Sequence, residues 1–489
     1  MWFLVLYFSF AVLRWLAPYV ILIANNQSIM QVPFLLLLIY GVSIILYDIF
    51  TKRVILRDKT FPLFFMLLLF MLMANLVNIR MGVFGFFLNI YSLIFVAIEL
   101  FVISILFFSR EGEKQKRNIK IVNACIVWIA TTVSILSFIT FVFDINGFIY
   151  INDYQFGYGF MPWNRLHGVT INSGFLSELA FLGMMFALIQ LRCFPVKRKW
   201  PYIVSLIVCF FCALLGGGRS SSLSFYGFVA VFSFLYFLLN HTARSPMKWA
   251  GRSILRRVVC GVLVCALFTL STIALARVMV PALGYVPAVV SSVSERVQNI
   301  GATGDEEEQP TGADQEEESP NIVPIDTVRN VEHSTDSGRV AIWRSGLRTA
   351  GSYPFWGVGW AASAYHIVPN IEDDVIVALF ADATVMNLHN DVLQILTTHG
   401  VFVLLVVVFI AGYFALRGIK KLSVLVVGRQ DAPFFVAAMS GLAYYLARGL
   451  VESTFIQSPG GRVHTFAFVY FLGMFLISMK DGFSDQKEA

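Results

Sequence analysis

The stretch FPLFFMLLLFMLMANLVNI, residues 61–79, contains no charged side chain and is long enough to cross a lipid bilayer as one helix. Of the 489 residues in the chain, 58% are hydrophobic and 13% are charged, whereas soluble globular proteins are about 45–50% apolar and about 25% charged. The chain has too few charges to cover a water-facing surface, which excludes a soluble enzyme. Twelve apolar runs are predicted to span the membrane: 3–23, 32–50, 61–79, 85–107, 120–143, 174–191, 201–216, 223–240, 258–281, 400–416, 432–451 and 464–479.

These runs predict an all-α polytopic membrane protein with about twelve transmembrane helices, because a helix satisfies its own backbone polar groups inside lipid. Residues 1–281 are predicted to form nine of these helices, joined by short loops and one longer outer loop at 144–173. Residues 282–391 are predicted to form a large outer loop, and 392–489 the last three helices and a short tail. No cysteine falls in the long polar segment, so a disulfide-stapled outer domain is not expected.

The positive charges predict the orientation of the chain, because loops rich in Lys and Arg stay in the cytoplasm. Alternate loops together with the C-terminal tail hold 24 of the 36 Lys and Arg residues, including all 12 lysines, which places both termini in the cytoplasm. The first run carries Arg14 and no small-residue cleavage site before the next run, so it is predicted to be a retained helix. Every cation left on the outer side or in an apolar run is an arginine. This bias indicates either an anion-binding outer face or chance.

The two larger outer loops differ in character. The loop at 144–173 is rich in aromatic residues and glycine, which fits either stacking on sugar rings or an interfacial aromatic belt. Segment 282–391 holds 17 acidic residues and 5 arginines, a net charge of −12. Its stretch 301–320, GATGDEEEQPTGADQEEESP, has little apolar surface to bury and is predicted to be a disordered insert, with a cation-binding arm as the alternative.

After the insert, the sequence STDSGRVAIWRSGLRTAGSYPF predicts a capped helix at 337–350. On a helical period, Arg339, Trp343 and Gly346 share one face, where the small glycine is expected to leave room for a ligand. Arg344 and Arg348 share a different face. The following FWGVGWAA contains two glycines that permit a tight backbone approach.

The stretch NLHNDVLQILTTHGVF, residues 387–402, places His389 at the outer start of a helix that enters the membrane. Either Asn387 or Asn390 can cap that helix. A helix N-terminus disfavours a protonated imidazole, so a neutral His389 could act as a general base. The alternative is that His389 only caps or packs.

Arg219, in LLGGGRSSSLSF, lies at the outer tip of a tight hairpin between two spans. An arginine at membrane depth requires a polar cavity or an anion, unless it reaches the interface by snorkelling. Arg448 and Glu452 are spaced i, i+4 and are predicted to form a structural ion pair. Two carboxylates lie in apolar runs: Glu178 near an outer end, and Glu99, expected to pair with Arg14 or Arg80. The EDDV stretch at 372–375 fits a divalent cation or a solvated loop.

Three motifs carry a resemblance to a known family. They are R-V-x-x-W-x-x-G-L-R from Arg339 to Arg348, P-x-x-G-V-G-W from Pro354 to Trp360, and H-N-D-x-L-Q-x-L-x-x-x-G from His389 to Gly400. Together with about twelve spans and a large loop before the last few, they resemble the O-antigen ligase and polymerase superfamily. The resemblance covers about 60 residues of that loop and does not choose among the members of the superfamily.

This resemblance implies a GT-C-like glycosyltransferase of the bacterial inner membrane, with its active site on the periplasmic face. Its donor is a glycan on a polyprenyl diphosphate such as undecaprenyl diphosphate, which passes to a sugar hydroxyl without a metal ion or cofactor. The essential groups of the ligases match Arg219, Arg339 and His389, and Arg165 is a counterpart of a polymerase arginine. Further substrate-binding residues are then predicted to be Arg344, Arg348, Trp343 and Asn390.

Of three functions that fit the sequence, the first, a polymerase, is predicted, and the other two are alternatives. A polymerase joins two lipid-linked repeat units of a surface polysaccharide such as O-antigen or exopolysaccharide. A ligase transfers the glycan to lipid A–core or to protein, and the acidic segment 282–391 would repel a phosphate-rich core acceptor. The third reading is a transporter of lipid-linked sugars. The expected partners are the lipid-linked donor, the glycan acceptor and membrane lipid, with no nucleic acid; a chain-length regulator is left open.

Overall fold

The apolar runs fold into a helical bundle in the computed structural model of the chain. The structure describes residues 1–17, 19, 27–78, 83–109, 112–151, 154–161, 165–244, 251–302, 339–361, 363–372, 377, 385–428, 432–453 and 462–480. The α-helices are α1 Trp2–Leu13, α2 Gln27–Tyr47, α3 Val54–Arg57, α4 Phe61–Val77, α5 Val83–Ile98, α6 Glu113–Val142, α7 Ser173–Cys193, α8 Trp200–Gly216, α9 Arg219–Arg244, α10 Gly251–Leu283, α11 Tyr285–Ala302, α12 Arg339–Ser352, α13 Ser363–Ile367, α14 Asp391–Gly428, α15 Pro433–Gly449 and α16 Arg462–Ser478.

Several helical segments are long and apolar enough to cross a membrane. Seven are found in the described part of the chain: Val32–Lys52, Gly85–Leu106, Glu113–Val142, Ser173–Cys193, Arg219–Leu239, Val258–Ser294 and Asp391–Val426. Shorter apolar helices are Trp2–Leu13, Phe61–Val77, Trp200–Gly216 and Arg462–Ser478. These segments confirm the predicted all-α polytopic membrane protein. Two of them contain π-helical turns, Asp48–Lys52 after α2 and Glu99–Leu106 after α5.

Some predicted boundaries differ from the observed ones. The predicted run 3–23 contains α1, which ends at Leu13 after only 12 residues. The predicted outer loop 282–391 begins with helix, since α10 extends to Leu283 and α11 follows from Tyr285. The predicted helix 337–350 is observed as α12, Arg339–Ser352. Apart from its first two residues, the acidic insert 301–320 lies outside the described residues.

The aromatic loop at 144–173 contains a small sheet that the sequence analysis did not predict. Its strands are β1 Gly147–Ile151, β2 Tyr154–Met161 and β3 Arg165–Gly168, paired antiparallel in the order β1-β2-β3. Gly147 lies opposite Tyr158, and Met161 lies opposite Arg165. A register shift at Gly159 and Phe160 bends the second pairing. The sheet packs beside α6, α7 and α8, so β3 holds Arg165 next to the bundle.

Two glutamates lie inside the bundle, and each is paired with an arginine from a helix distant in sequence. Glu99 is fully buried and accepts hydrogen bonds from Arg462 Nη1 at 3.3 Å and from the Tyr7 hydroxyl. The expected pairing of Glu99 with Arg14 was therefore wrong. Arg14 lies over the ring of Phe34, and Arg80 is outside the described residues. A buried carboxylate of this kind needs such a partner, because an unpaired buried charge is costly.

Candidate active site

The first turn of α12 carries an arginine that reaches across to the end of α15. Arg339 Nη1 donates to the carbonyl oxygen of Val451 at 2.9 Å, and Nη2 lies 3.3 Å from Glu452 Oε2. The Arg339 side chain keeps about a third of its surface exposed, 33%. The planar guanidinium has five N–H donors in a fixed fork, so these two contacts leave further donors that a phosphate could engage.

Helix α14 begins two residues after the candidate base His389, as the sequence predicts. Asn390 is the cap, since its Oδ1 accepts from the backbone N–H of Leu393 at 3.0 Å. His389 itself has a left-handed backbone with φ of 52°. Non-glycine residues adopt this region rarely and at a cost, and such residues cluster at functional sites. His389 is therefore held in an unusual conformation at the entrance of α14.

Hydrogen bonds from three other segments hold the backbone around His389. Trp343 of α12 donates from Nε1 to the carbonyl of Leu388 at 2.7 Å. The Leu388 N–H donates to Gln394 Oε1 at 2.8 Å, within α14. Beyond α15, Ser453 Oγ accepts from the Asn390 N–H at 3.2 Å, and Asn390 Nδ2 donates to the carbonyl of Leu450 at 2.9 Å. The imidazole thus has a defined position relative to α12, α14 and α15.

Glu452 connects the histidine and the arginine. Its Oε1 accepts a hydrogen bond from His389 Nδ1, while its Oε2 faces Arg339. Burial raises the pKa of the Glu452 carboxyl, but the hydrogen bond from His389 and the charges of Arg448 and Arg339 outweigh it, so the pKa lies below its ordinary value. An ionised carboxylate can only accept hydrogen bonds, so Nδ1 of His389 carries the hydrogen. From its sequence spacing Glu452 was predicted to be only the ion-pair partner of Arg448, and not a site residue.

Two further arginines lie near the start of α9. Arg165 on β3 passes close to the turn before this helix, since a Cβ at Gly217 would stand 3.9 Å from Arg165 Cγ. Arg219 is the first residue of α9 and is exposed. Burial lowers the pKa of the Arg165 guanidinium, and the neighbouring charge of Arg219 lowers it further. Two adjacent cations repel each other, so an anion bound between them would be favoured.

The Gly216–Gly218 turn before Arg219 packs against helix α7. The Gly218 N–H donates to Ser177 Oγ of α7 at 3.2 Å, and Gly217 takes a left-handed φ of 59°. The close approach that these glycines permit is made here by α7. This contact fixes the direction in which α9, and with it Arg219, begins.

A buried network links the start of α9 to the end of α15. Ser221 accepts a hydrogen bond from Arg448 Nη1 at 2.6 Å, and the same nitrogen lies 2.7 Å from Glu178 Oε2. The predicted ion pair between Arg448 and Glu452 was wrong, because Arg448 pairs with Glu178 and Glu452 pairs with Arg339 and His389. Arg219, two residues before Ser221, therefore lies at the same end of the bundle as the Glu452 cluster.

The remaining predicted site residues lie around this cluster in different roles. Arg344 and Arg348 are exposed, and Arg348 Nη2 lies 2.5 Å from Glu372 Oε1. Gly346 does not leave room for a ligand as expected, because Leu388 fills the space, 3.0 Å from where a Cβ would be. Trp343 supports Leu388 by its indole N–H. Asp373, Asp374 and Val375 of the EDDV stretch lie outside the described residues.

The P-x-x-G-V-G-W motif packs into a break in α14. At Gly400 the backbone leaves the helical region with φ of 79°, and a Cβ there would stand 2.1 Å from the carbonyl oxygen of Phe355. The Val401 N–H donates to the carbonyl of Pro354 at 2.8 Å, and the Val358 N–H donates to that of Thr397 at 3.0 Å. The close approach predicted at these glycines is that of the chain's own helix, which ties the loop after α12 to α14.

Fold and site together define a multi-pass membrane protein with arginines and a histidine gathered at one end of its helical bundle. Residues 204–408 match a family model described as O-antigen ligase. The match covers less than half of the chain, yet it includes Arg219, Arg339 and His389, whereas Arg165 and Glu452 fall outside it. It confirms the predicted relation to the O-antigen ligase and polymerase superfamily. No curated protein matches the chain.

Proposed function

We propose that the protein is a polymerase of lipid-linked oligosaccharide repeat units in bacterial surface polysaccharide synthesis. The family match supports ligase- or polymerase-type glycan transfer at a coarse level. The observation that carries the proposal is the meeting of Arg339 and His389 on Glu452, at the end of the bundle where Arg165 and Arg219 also lie. A base and several fixed cations are what glycan transfer from a diphosphate carrier requires.

The histidine and the arginines have different roles in the proposed reaction. As the acceptor hydroxyl oxygen attacks the anomeric carbon of the donor sugar, its proton passes to Nε2 of His389, the nitrogen opposite Glu452. The bond between the anomeric carbon and the diphosphate oxygen breaks, and its electron pair leaves with the diphosphate. Arg339, with Arg219 and Arg165, stabilises the negative charge that develops there. Direct attack from the opposite face inverts the anomeric configuration.

The arginines fit the diphosphate for a geometric reason. A guanidinium is always charged and offers parallel N–H donors that match phosphate oxygens. Arg165 approaches the turn two residues before Arg219 and feels its charge, so a leaving diphosphate would relieve their mutual repulsion. We therefore assign Arg219 and Arg165 to the diphosphate, with Arg344 and Arg348 further out along the glycan.

The direction of insertion is part of the same proposal. The distribution of lysines argues for cytoplasmic termini, a bacterial inner-membrane location and an active site on the periplasmic face. A periplasmic site has no nucleotide sugars, which fits a lipid-linked donor. No cofactor is needed by the proposed reaction, because the leaving group is already activated as a diphosphate.

Polymerase is preferred to ligase on electrostatic grounds. Segment 282–391 carries a net charge of −12, which opposes approach of a phosphate-rich lipid A–core within a Debye length of about 8 Å. The family description, O-antigen ligase, favours the second candidate, transfer to lipid A–core. The acceptor therefore decides between the two.

The test uses the purified protein in lipid with a polyprenyl-diphosphate-linked repeat unit, with and without lipid A–core. A ladder of longer lipid-linked products without the core would support the polymerase. Product that forms only with the core would establish the ligase and contradict the electrostatic argument. Movement of the substrate across the bilayer without new glycosidic bonds would instead favour a transporter of lipid-linked sugars.

A further inference from the structure

The carboxylate of Glu452 lies beneath His389 and Arg339, the base and one of the cations of the proposed reaction. Its side chain is 16% exposed, whereas those of Arg339 and His389 are 33% and 31% exposed. Each carboxylate oxygen faces a different partner, Oε1 the imidazole and Oε2 the guanidinium. The Glu452 carboxylate thus holds the imidazole of His389 and the guanidinium of Arg339 next to each other, and both groups reach solvent.

We propose that Glu452 is a positioning residue that fixes the tautomer and orientation of His389 and, through the same carboxylate, the place of Arg339. This inference rests on the proposed glycan transfer and names a residue outside the segment matched by the family. The carboxylate accepts the Nδ1–H of His389, so a neutral imidazole must present Nε2 as its acceptor nitrogen. That is the nitrogen able to take the proton from an acceptor hydroxyl.

The backbone geometry shows that this contact is built from several segments. Glu452 lies three residues after α15, Arg339 begins α12, and His389 precedes α14. The turn after α15 also holds the stretch before α14 through Ser453 and the carbonyl of Leu450. The left-handed φ of His389 turns its side chain toward this junction at a conformational cost. Such a cost is sustained only when surrounding contacts determine the conformation.

The alternative is that Glu452 contributes only to folding, as a partly buried ion pair with Arg339. The two readings differ in what a folded variant should do. An ion pair alone predicts lower thermal stability with unchanged turnover per folded molecule. A positioning residue predicts lower turnover with little change in donor binding, because the carboxylate acts on the base and not on the bound glycan.

The kinetic test compares Glu452→Gln, which keeps the shape but removes the charge, with Glu452→Asp, which keeps the charge on a shorter side chain. We expect Glu452→Gln to lower kcat about 10- to 100-fold with KM for the lipid-linked donor within about 2-fold, as for loss of part of a general-base contribution. Glu452→Asp should stay within about 10-fold of the wild type. Unchanged kcat in Glu452→Gln, or a loss confined to KM, would overturn the proposal.

A matched control is Glu113→Gln. Glu113 also forms an ion pair, with Lys116 at 3.0 Å, and it begins α6 far from the site. Its variant should keep wild-type kcat and KM. Size-exclusion profile and thermal midpoint are measured for every variant, and turnover is expressed per folded molecule, so a folding defect is not counted as lost catalysis.

A second readout does not depend on activity. In protein labelled with ¹⁵N-histidine, His389 should show the Nδ1–H tautomer, identified by its loss in His389→Asn. Glu452→Leu, which cannot accept a hydrogen bond, should shift His389 toward the Nε2–H tautomer. An unchanged tautomer would refute the positioning role even if the wild type transfers glycan. If the wild type transfers none but the tautomer shifts as expected, the proposed function fails while the contact stands.

Discussion

Glu178 and Glu452 both hold an arginine at the same end of the bundle, but their surroundings are opposite. Glu178 is fully buried, and its oxygens accept from Tyr444 at 2.6 Å and Tyr445 at 3.2 Å in addition to pairing with Arg448. Glu452 is partly exposed, and its partners open to solvent. The same pairing chemistry therefore serves two purposes: a saturated buried cluster joins helices, and an open one presents groups to a ligand.

The buried cluster contributes indirectly to the open one. Arg448 spans from Glu178 on α7 to Ser221 on α9, and it lies one helical turn before Glu452. His464 of α16 also faces Glu178, with Nδ1 at 3.1 Å from Oε1 but without hydrogen-bond geometry. Four helices thus meet at one carboxylate. This junction fixes the position of the end of α15 and the direction of the turn that carries Glu452.

The largest effect is expected from His389→Ala. Removing the general base should lower turnover about 10²- to 10⁴-fold, while donor binding and thermal stability remain near wild type. Turnover is measured by gel separation of lipid-linked products, and binding by competition with labelled donor. Retained turnover would show that the Glu452 cluster does not supply the base. The functional distinction between it and the buried Glu178 cluster would then be lost.

Arg448→Met tests the buried cluster. It leaves the Glu178 carboxylate buried without its cation, which should destabilise the protein by about 3–5 kcal/mol. The measurement is the unfolding midpoint in detergent, with Arg219→Met, an exposed arginine, as the control for stability. A midpoint equal to that of the wild type would mean that the Glu178 pair does not support the fold.

Arg339→Lys separates charge from geometry in the open cluster. Lysine keeps the positive charge but offers a point charge in place of a fork, so it cannot contact both Val451 and Glu452 in the same way. Turnover should fall about 10-fold, with stability changed by less than about 1 kcal/mol. Equal turnover in the wild type and in Arg339→Lys would indicate that only the charge of Arg339 matters.

Arg348→Ala should have the smallest effect. Its pair with Glu372 is exposed on both sides, and the hydrogen bond and charge of Arg348 lower the pKa of the Glu372 carboxyl. A lowered pKa in the folded state means that the contact is present above the ordinary range for glutamate and is lost as the pH falls through the lower folded value. We expect no measurable change in the unfolding midpoint at pH 7. The proposed place of Arg348 along the glycan predicts a rise in KM for the donor, and an unchanged KM would contradict that role.

The sequence by itself determined the class of the protein and most of its candidate groups. Runs such as 61–79 have no alternative to membrane helices, since too few charges exist to keep them in water. Periodicity placed Arg339 at the start of a helix, and the asparagines around His389 predicted the cap that Asn390 forms. These are local properties of the chain, which spacing and residue type are sufficient to specify.

The tertiary structure alone decided which charges meet. Arg448 and Glu452 are one helical turn apart, which predicts a pair, but Arg448 turns to Glu178 because that carboxylate is buried and needs a cation. Glu452 is thereby left to Arg339 and His389, which lie 113 and 63 residues away in sequence. Pairings over such distances depend on how the helices pack, and no local pattern in the chain contains that information.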